Sequence, residues 1–333
     1  MPARSRAALL ILLAVAGGSV FAALALGSMP AGLAEVLGGL TGAPGTAEDV
    51  VRMVRLPRVL AAFATGGLLA LAGALMQVLL RNPLADPYVL GISGGAAVGA
   101  LSAMMAGLGV LAVDAGAALG ALAAVLLVFA LARREFARIH LFSALDASPR
   151  LLLTGVILAA GWSAVITLML TLAPEARLRG MLFWLMGDLN GAESWLPAFV
   201  ALLAVLVLTY PSARDLNVML RGEAMAQSLG VRVAKLRRTV YIAASAATAL
   251  AVTTAGAIAF VGLVVPHALR LVLGNDQRVL LPASAMAGGT LLVLADTAAR
   301  TAFSPQEVPV GVITALLGVP MFMALLARSG APR

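Results

Sequence analysis

Residues 59–87, with the sequence VLAAFATGGLLALAGALMQVLLRNPLADP, decide the fold of this chain. Residues 59–80 carry no charged side chain and are almost entirely apolar. A helix needs about 20 mainly apolar residues to cross about 30 Å of hydrocarbon, so this run is long enough to span a membrane. Residues 81–87 then interrupt the run. Irregular backbone at membrane depth is tolerated only inside protein or beside a cavity, so the sequence predicts a transmembrane helix that ends in such a break.

Apolar runs of this kind recur along the whole chain. Hydrophobic residues make up 62% of the 333 residues and charged residues 11%, and the mean hydropathy is +1.02. Soluble domains have roughly 45–50% apolar and about 25% charged residues. We therefore predict an all-α, polytopic membrane protein with one domain over residues 1–333 and about ten transmembrane helices. The ten predicted stretches are 7–27, 59–80, 88–110, 114–132, 151–173, 195–210, 239–256, 257–273, 279–299 and 309–327.

Lysine and arginine residues predict the orientation of these spans. Ten spans that start inside the cell would leave six segments in the cytoplasm: the N-terminus, 81–87, 133–150, 211–238, 274–278 and the C-terminus. Most of the 23 Lys and Arg residues lie in or beside these segments, which is the positive-inside pattern. The pattern predicts a multi-pass protein of the bacterial inner membrane with both termini in the cytoplasm. Six arginines fall on the other side and become candidates for binding: Arg52, Arg55, Arg58, Arg177, Arg179 and Arg300.

Three glycines follow the break at regular spacing. Gly91, Gly95 and Gly99 recur every four residues, so in a helix they would share one face. Small residues let neighbouring helix backbones approach closely in a membrane. We expect this helix to be internal and tightly packed.

The predicted cytoplasmic segment 211–238 contains a short capped helix over residues 221–230. Glu223 suits the positive N-terminal end of a helix dipole, and Gly230 suits its stop. A short amphipathic helix in a cytoplasmic loop can insert into a groove on a soluble partner. Spacing alone favours this interpretation and an ordinary structured loop about equally.

The residue inventory argues against chemistry carried out by this chain. It has no cysteine, and its two histidines, His140 and His267, are far apart in sequence, so we expect no metal site. Lys235, the only lysine, is not in a Gly-Lys-Ser/Thr loop of the kind that binds ATP. We expect no catalytic residue and no cofactor bound by this chain, and we read the net charge of +8 as membrane orientation rather than nucleic-acid binding.

The spans contain few ionisable groups. Asp296 is the main exception, and its spacing to Arg300 predicts an i,i+4 ion pair with a structural role. Ion-coupled transporters generally keep ionisable relays inside their spans, so proton-driven transport is disfavoured. A membrane-embedded enzyme would need a cluster of His, Asp or Glu residues there, and the sequence offers none.

The external arginines allow two interpretations each. Arg55 and Arg58 either keep their guanidinium groups in water at a helix entrance or capture carboxylates of a docking partner. Arg177 and Arg179 precede the aromatic stretch 181–188, which is typical of a segment at the membrane interface, and they could meet an anionic substrate.

Motifs spread over nearly the whole chain resemble those of a known family. The family is that of the permease subunits of type II ABC importers, which depend on a binding protein and import iron-siderophores, haem or cobalamin. The resemblance implies a cobalamin-importer-permease-like fold, a homodimer with the translocation path between subunits, two cytoplasmic ATPase subunits that bind ATP and Mg, and a periplasmic substrate-binding protein. The motifs are RLPR at 55–58, GALMQ at 73–77, NPLADP at 82–87, FWLMG at 183–187, FVGLVVPH at 260–267 and PVG at 309–311.

The resemblance also implies roles for particular residues. Arg55 and Arg58, with Arg300, would receive acidic residues of the binding protein. The coupling helix in the ATPase groove would consist of Arg221, Gly222, Glu223, Ala224, Met225, Ala226, Gln227, Ser228, Leu229 and Gly230. Transport would then proceed by alternating access driven by the separate ATPase.

The substrate is the least determined part of the prediction. Arg179, with Arg177 beside it, favours haem or an iron chelate as the substrate, because paired propionates at a dimer mouth could meet one arginine from each subunit. Cobalamin, which lacks such carboxylates, is the alternative. A secondary transporter that works without an ATPase is a further alternative, disfavoured by the lack of intramembrane carboxylates.

Overall fold

The computed structural model describes residues 3–27, 31–137, 149–191, 195–302 and 306–329. These residues form α-helices, short 3₁₀ and π turns, and no β-strand, so the predicted all-α class is confirmed. Most of the predicted cytoplasmic segment 133–150, including His140, lies outside the described residues, as do the last four residues of the predicted cytoplasmic C-terminus.

Fifteen α-helices make up the described part of the chain. The ten predicted apolar stretches correspond to α1, α4–α7, α9 and α12–α15, whereas α2, α3, α8 and α10 are additional. The helices are α1 Ala3–Ala25, α2 Leu33–Thr41, α3 Thr46–Val50, α4 Leu56–Leu79, α5 Ile92–Met105, α6 Val110–Ala137, α7 Pro149–Leu172, α8 Glu175–Met186, α9 Trp195–Thr209, α10 Ala213–Met219, α11 Glu223–Ser228, α12 Val233–Ala255, α13 Val261–Leu273, α14 Gln277–Thr301 and α15 Val310–Ser329.

Six helical segments of the described residues are long and apolar enough to cross a membrane by themselves. The apolar helices α5 and α13 are shorter, as is the apolar part of α15, Val310–Leu325. The chain is therefore a multi-pass membrane protein, while the number of ten spans stays a prediction. The six segments are Arg4–Ala25, Thr46–Leu79, Val110–Leu131, Leu153–Leu172, Trp195–Met219 and Gln277–Thr301.

Helix α4 is the axis of the bundle. It is buried along nearly its whole length and packs against α14, α12, α9, α13 and α1. Small residues allow these close contacts: a Cβ at Gly66 would overlap the carbonyl oxygen of Gly288 in α14, and one at Gly73 would overlap that of Gly262 in α13. Helix α14 runs antiparallel to α4, so the start of α14 lies at the C-terminal end of α4 and its last turn lies at the N-terminal end.

The predicted break follows α4 directly and is satisfied inside the protein. Arg81 adopts the left-handed conformation with φ of +49°. The side-chain oxygen of Asn82 accepts a hydrogen bond from the Leu84 N–H at 2.9 Å, and Oδ1 of Asp86 accepts one from the Tyr88 N–H at 2.7 Å. A 3₁₀ turn at Pro87–Leu90 then leads into α5. Because local side chains take up these freed backbone donors, the break can lie against the helix bundle.

The glycine-rich face of α5 packs against α6, as its spacing predicts. A Cβ at Gly95 would collide with the backbone of Gly120, and a Cβ at Gly99 would collide with that of Gly116. The clash is reciprocal, because Cβ atoms at Gly116 and Gly120 would meet the backbone of α5. Gly91 differs from the other two glycines: it lies before α5 with φ of +71°, where it ends the 3₁₀ turn.

Candidate functional site

The N-terminal end of α4 carries a buried ion network around Asp296. Nε of Arg58 donates to the two carboxylate oxygens of Asp296 at 3.2 and 3.1 Å, and Nη2 donates at 3.0 Å. Nε of Arg300 donates to the same carboxylate at 3.1 Å, which confirms the predicted i,i+4 ion pair. The Asp296 side chain is only 2% exposed. One buried carboxylate therefore holds two of the three arginines that we predict to receive the binding protein.

Arg58 also connects parts of the chain that are far apart in sequence. Its Nη1 donates to the side-chain oxygen of Asn190, in the segment between α8 and α9, and to Glu307 at 3.4 Å, just before α15. The side chains of Arg58 and Arg300 are 14% and 11% exposed, whereas Glu307 is 45% exposed. The network thus leaves small guanidinium surfaces open at this end of the bundle, next to an exposed acidic group.

Arg55, the third predicted docking arginine, lies inside the fold. Its residue is 4% exposed, and its Nη1 donates to the carbonyl oxygens of Leu24 at 2.8 Å and Ala25 at 3.3 Å. These carbonyls are at the C-terminal end of α1, where backbone acceptors lack helical partners. Arg55 therefore caps α1, and it could contact a docked protein only by leaving these carbonyls.

The two predicted substrate-path arginines have different surroundings. Arg177 donates from Nη1 to the carbonyl oxygens of Met104 and Met105, so it caps the C-terminal end of α5. The Arg179 guanidinium carbon lies 5.4 Å from the centre of the Phe183 ring. Arg179 also lines a cavity of about 470 Å³ together with Met104, Phe183, Trp184, Asp188 and Asn190. Because Asn190 also binds Arg58, this cavity and the Asp296 network lie at the same end of the bundle.

The predicted coupling segment forms a short helix at the opposite end. Helix α11 ends in a glycine C-cap, in which the Val231 N–H donates to the Ala226 carbonyl and the Gly230 N–H donates to the Gln227 carbonyl. Gly230 has φ of +83°, as the predicted stop requires. The side chains of Met225 and Leu229 are 48% and 62% exposed, so α11 presents an apolar surface that the described residues do not cover.

Glu223 fastens α11 to a long helix. Its carboxylate is 6% exposed and lies 3.5 Å from Nη1 of Arg237, which is 2% exposed and belongs to α12. Removing one partner of a buried ion pair lowers the free energy of unfolding by about 3–5 kcal/mol. The short helix is therefore tied to α12, which packs along α4.

A second cavity lies at the C-terminal end of α4, and we call it the basic cavity. Its volume is about 580 Å³, and its polar lining includes Gln77, Arg81, Asn217, Arg221, Arg270 and Asp276. Asp276 caps α14, and it accepts hydrogen bonds from Arg278 at 2.7 to 3.1 Å and from Nδ2 of Asn217 at 2.9 Å. The Arg278 guanidinium holds the pKa of the Asp276 carboxyl well below its usual range.

No group of three or more His, Cys, Asp or Glu side chains that could hold a metal ion occurs among the described residues. His267 is buried in α13, and neither of its ring nitrogens has a hydrogen-bond partner there.

Known proteins resemble this chain over most of its length. The model of the FecCD transport family matches residues 10–328. The vitamin B12 import system permease protein BtuC of Klebsiella pneumoniae subsp. pneumoniae is 44% identical over 279 residues, which cover 83% of this chain and 82% of that protein. The cobalamin import system permease protein BtuC of Halobacterium salinarum is 45% identical over 291 residues, covering 86% of this chain and 75% of that protein.

Solved structures share the architecture. An inward-facing conformation of a metal-chelate type ABC transporter superposes with a TM-score of 0.84 at 30% sequence identity and covers 96% of this chain and 98% of its own. PsaBC from Streptococcus pneumoniae has a TM-score of 0.56 at 17% identity, with 84% of this chain and 93% of that chain covered, which shows a shared fold alone.

The helical bundle and these relatives define the class of protein: a permease subunit of an ABC importer. The chain belongs to the FecCD transport family. The predicted resemblance to type II importer permeases is therefore confirmed. Permeases of this family form the membrane part of importers that also contain ATPase subunits and a binding protein, so this chain is the transport subunit.

Proposed function

We propose that this chain is the permease subunit of a cobalamin importer. The observation that carries the proposal is its 41–45% identity, over 83–86% of its length, to relatives named as vitamin B12 or cobalamin permeases. The transporter of the metal-chelate type shares 30% identity. These identities favour our alternative substrate, cobalamin, over haem or an iron chelate.

Only one of the two arginines that suggested haem is bound to the backbone of its own subunit. Arg177 binds the carbonyls at the end of α5, and Arg179 lies against the Phe183 ring. Each subunit therefore offers Arg179, but not Arg177, as a guanidinium that could meet a propionate. The cavity beside Arg179 is lined mainly by apolar, aromatic and amide side chains, with Arg179 and Asp188 as one charge of each sign, and such a lining suits a large ligand with little net charge.

In the proposed assembly, two copies of this chain enclose the translocation path. The C-terminal end of α4 faces the cytoplasm and two ATPase subunits, and the N-terminal end faces the binding protein in the periplasm. Both termini are then cytoplasmic in the inner membrane, as the positive-inside pattern predicts. The exposed Met225 and Leu229 of α11 support an ATPase contact at the first of these ends.

Docking of the binding protein would use the surface around the Asp296 network. Arg58 and Arg300 are held in place by Asp296 and keep part of their guanidinium groups exposed. Such fixed forks suit carboxylates of a partner, because little side-chain freedom is lost on binding. In this proposal Arg55 does not touch the binding protein; it supports the docking surface indirectly by holding α1 against the start of α4.

The ATPase would drive alternating access through α11. When ATP binding closes the ATPase dimer, the ATPase displaces α11, and the Glu223–Arg237 ion pair transmits the displacement to α12. Helix α12 packs on α4, α6 and α9, so the movement reaches helices on several sides of the bundle. The permease contributes the path and the mechanical connection, and the ATPase contributes hydrolysis.

Substrate uptake into proteoliposomes tests the proposal. The vesicles contain this chain and its ATPase, with the binding protein added outside, and cobalamin, haem and a ferric siderophore are offered separately. We expect cobalamin accumulation that requires both ATP and the binding protein. ATP-dependent uptake of haem alone would overturn the substrate but keep the importer, whereas uptake without the ATPase would overturn the importer itself.

A further inference from the structure

The basic cavity contains more positive charge than its own surroundings neutralise. Arg81, Arg221 and Arg270 line it, and none of them forms an ion pair with a carboxylate of the described residues. Nε and Nη2 of Arg270 are buried and have no hydrogen-bond partner. Asp276, the acid in the lining, is already bound by Arg278 and Asn217. The cavity therefore has an uncompensated positive charge.

A buried guanidinium without a partner is unfavourable, because burial removes water that would otherwise solvate the charge. Asp296 and its two arginines neutralise one another by pairing, whereas no described residue supplies a counter-charge to Arg270. A carboxylate entering the cavity would accept hydrogen bonds from Arg270 and neutralise part of the combined charge of the three arginines. No carboxylate of the described residues fills this role, so we look for the anion on a protein that binds this end of the bundle.

The location of the cavity favours an ATPase subunit as the source of this anion. Asn217, Leu220 and Arg221 form one wall, and Arg221 lies two residues before α11, which is the proposed coupling helix. The lining also includes Asn275, which is exposed at the turn into α14. A protein that contacts α11 therefore lies next to the cavity.

The same geometry disfavours a lipid headgroup. Gln77, at the C-terminal end of α4, forms the floor of the cavity and is 1% exposed. The exposed residues of the lining, Pro83, Arg221 and Asn275, belong to connections between helices at this end of the bundle. The cavity is therefore reached from the end of the bundle, beside the proposed ATPase surface, rather than from its lipid-facing side.

We propose that the basic cavity receives an acidic side chain of the ATPase subunit, with Arg270 as its principal partner and Arg81 and Arg221 as additional cations. This inference rests on the proposed function, because it requires an ATPase at this end of the bundle. The volume of about 580 Å³ accommodates a Glu or Asp side chain together with the loop that carries it. The contact adds a charge-dependent attachment to the apolar one at Met225 and Leu229.

The first experiment compares affinities of the purified ATPase for the chain in nanodiscs of neutral lipid. We expect Arg270→Gln to raise Kd at least about tenfold and to weaken its dependence on NaCl between about 50 and about 300 mM. The control Arg6→Gln removes a cation from α1, outside the cavity lining, and should leave Kd within about twofold of wild type. Thermal unfolding of the variants verifies that each one folds.

The second experiment identifies the acidic partner directly. Because Lys235 is the only lysine, the double variant R270K/K235R carries one lysine side chain, placed in the cavity. A carbodiimide joins an amine to a carboxylate only when the two are in contact. We expect a cross-link from residue 270 to one Glu or Asp of the ATPase, and none when position 235 alone carries the lysine in an R270Q background.

The outcomes separate this inference from the proposed function. If wild-type chain binds no ATPase at all, the proposed function fails and takes the inference with it. If wild type and R270Q bind the ATPase with equal affinity and no cross-link forms at residue 270, the inference fails while the proposed function stands. An effect of R270Q that appears only with anionic lipid would assign the cavity to a headgroup and overturn the inference.

Discussion

The two ends of α4 use arginine in opposite ways. At the N-terminal end, Arg58 and Arg300 share the buried carboxylate of Asp296, so their charges are balanced within the chain. At the C-terminal end, Arg270 is partly buried and lines a cavity with Arg81 and Arg221, and no carboxylate among the described residues pairs with it. The first arrangement fixes helices to one another, and the second leaves a charge to be satisfied from outside. The number of arginines therefore does not tell whether one end of the bundle is held by internal ion pairs or is available to bind an external anion.

Removal of Asp296 should have the largest effect, because it would make the first end resemble the second. Asp296→Ala leaves two largely buried guanidinium groups without their counter-charge, and we expect it to lower the free energy of unfolding by about 3–5 kcal/mol. Denaturant unfolding of the detergent-solubilised chain measures this change. Glu307→Ala, which removes an exposed partner of Arg58, is the control and should cost no more than about 1 kcal/mol. Equal effects of the two variants would contradict the buried network.

A proline in α11 should have the next largest effect, at the opposite end. The Ala226 N–H donates to the Gly222 carbonyl at 3.0 Å, so Ala226→Pro removes that donor and destabilises the short helix by about 3 kcal/mol. We expect loss of ATP-dependent uptake with the thermal stability of the bundle retained. Ala224→Pro is the matched control, because it lies in the first turn, where proline is tolerated. Normal uptake by the Ala226 variant would remove α11 from the coupling role.

Substitutions of the docking arginines should give the smallest effects, and they compare a partly exposed arginine, Arg58, with a buried one, Arg55. Arg58→Gln removes a partly exposed fork, and we expect about tenfold weaker binding of the binding protein together with a weaker salt dependence. Arg55→Gln removes a buried cap of α1, so it should lower the unfolding temperature while leaving the salt dependence of docking near wild type. Surface plasmon resonance on nanodiscs at two salt concentrations measures both. A salt dependence that falls equally in both variants would place Arg55 in direct contact with the partner.

The sequence predicts the helices that are apolar throughout, because membrane insertion depends on composition over a local window. It misses α2, α3, α8 and α10, which are short and lie outside the predicted apolar stretches, so hydropathy alone does not reveal them. The break after α4 is predictable for a similar reason, since Asn82, Pro83 and Pro87 disfavour a continuous helix locally.

In the candidate site, too, the contacts between residues close in sequence are predictable and those that depend on helix packing are not. The Asp296–Arg300 pair is predictable from its i,i+4 spacing, whereas Arg58 is separated from Asp296 by 238 residues and joins it only after α4 and α14 pack antiparallel. Nothing near Arg55 in the sequence indicates that it turns toward α1. The basic cavity is equally invisible, because its arginines come from three segments that meet only at the end of the bundle.

The reciprocal glycine contacts between α5 and α6 have a mechanical consequence. Gly99 and Gly116 face each other where neither helix has room for a β-carbon, as do Gly95 and Gly120. If one helix slid along the other, residues that carry a β-carbon, such as Ala96 or Ala117, would move toward contacts in which only hydrogen fits. The close fit therefore holds α5 and α6 in register, and we expect the two helices to move together as one rigid body. Any bending during a transport cycle is consequently confined to the joints at its ends, of which the irregular stretch between Arg81 and Gly91 is one.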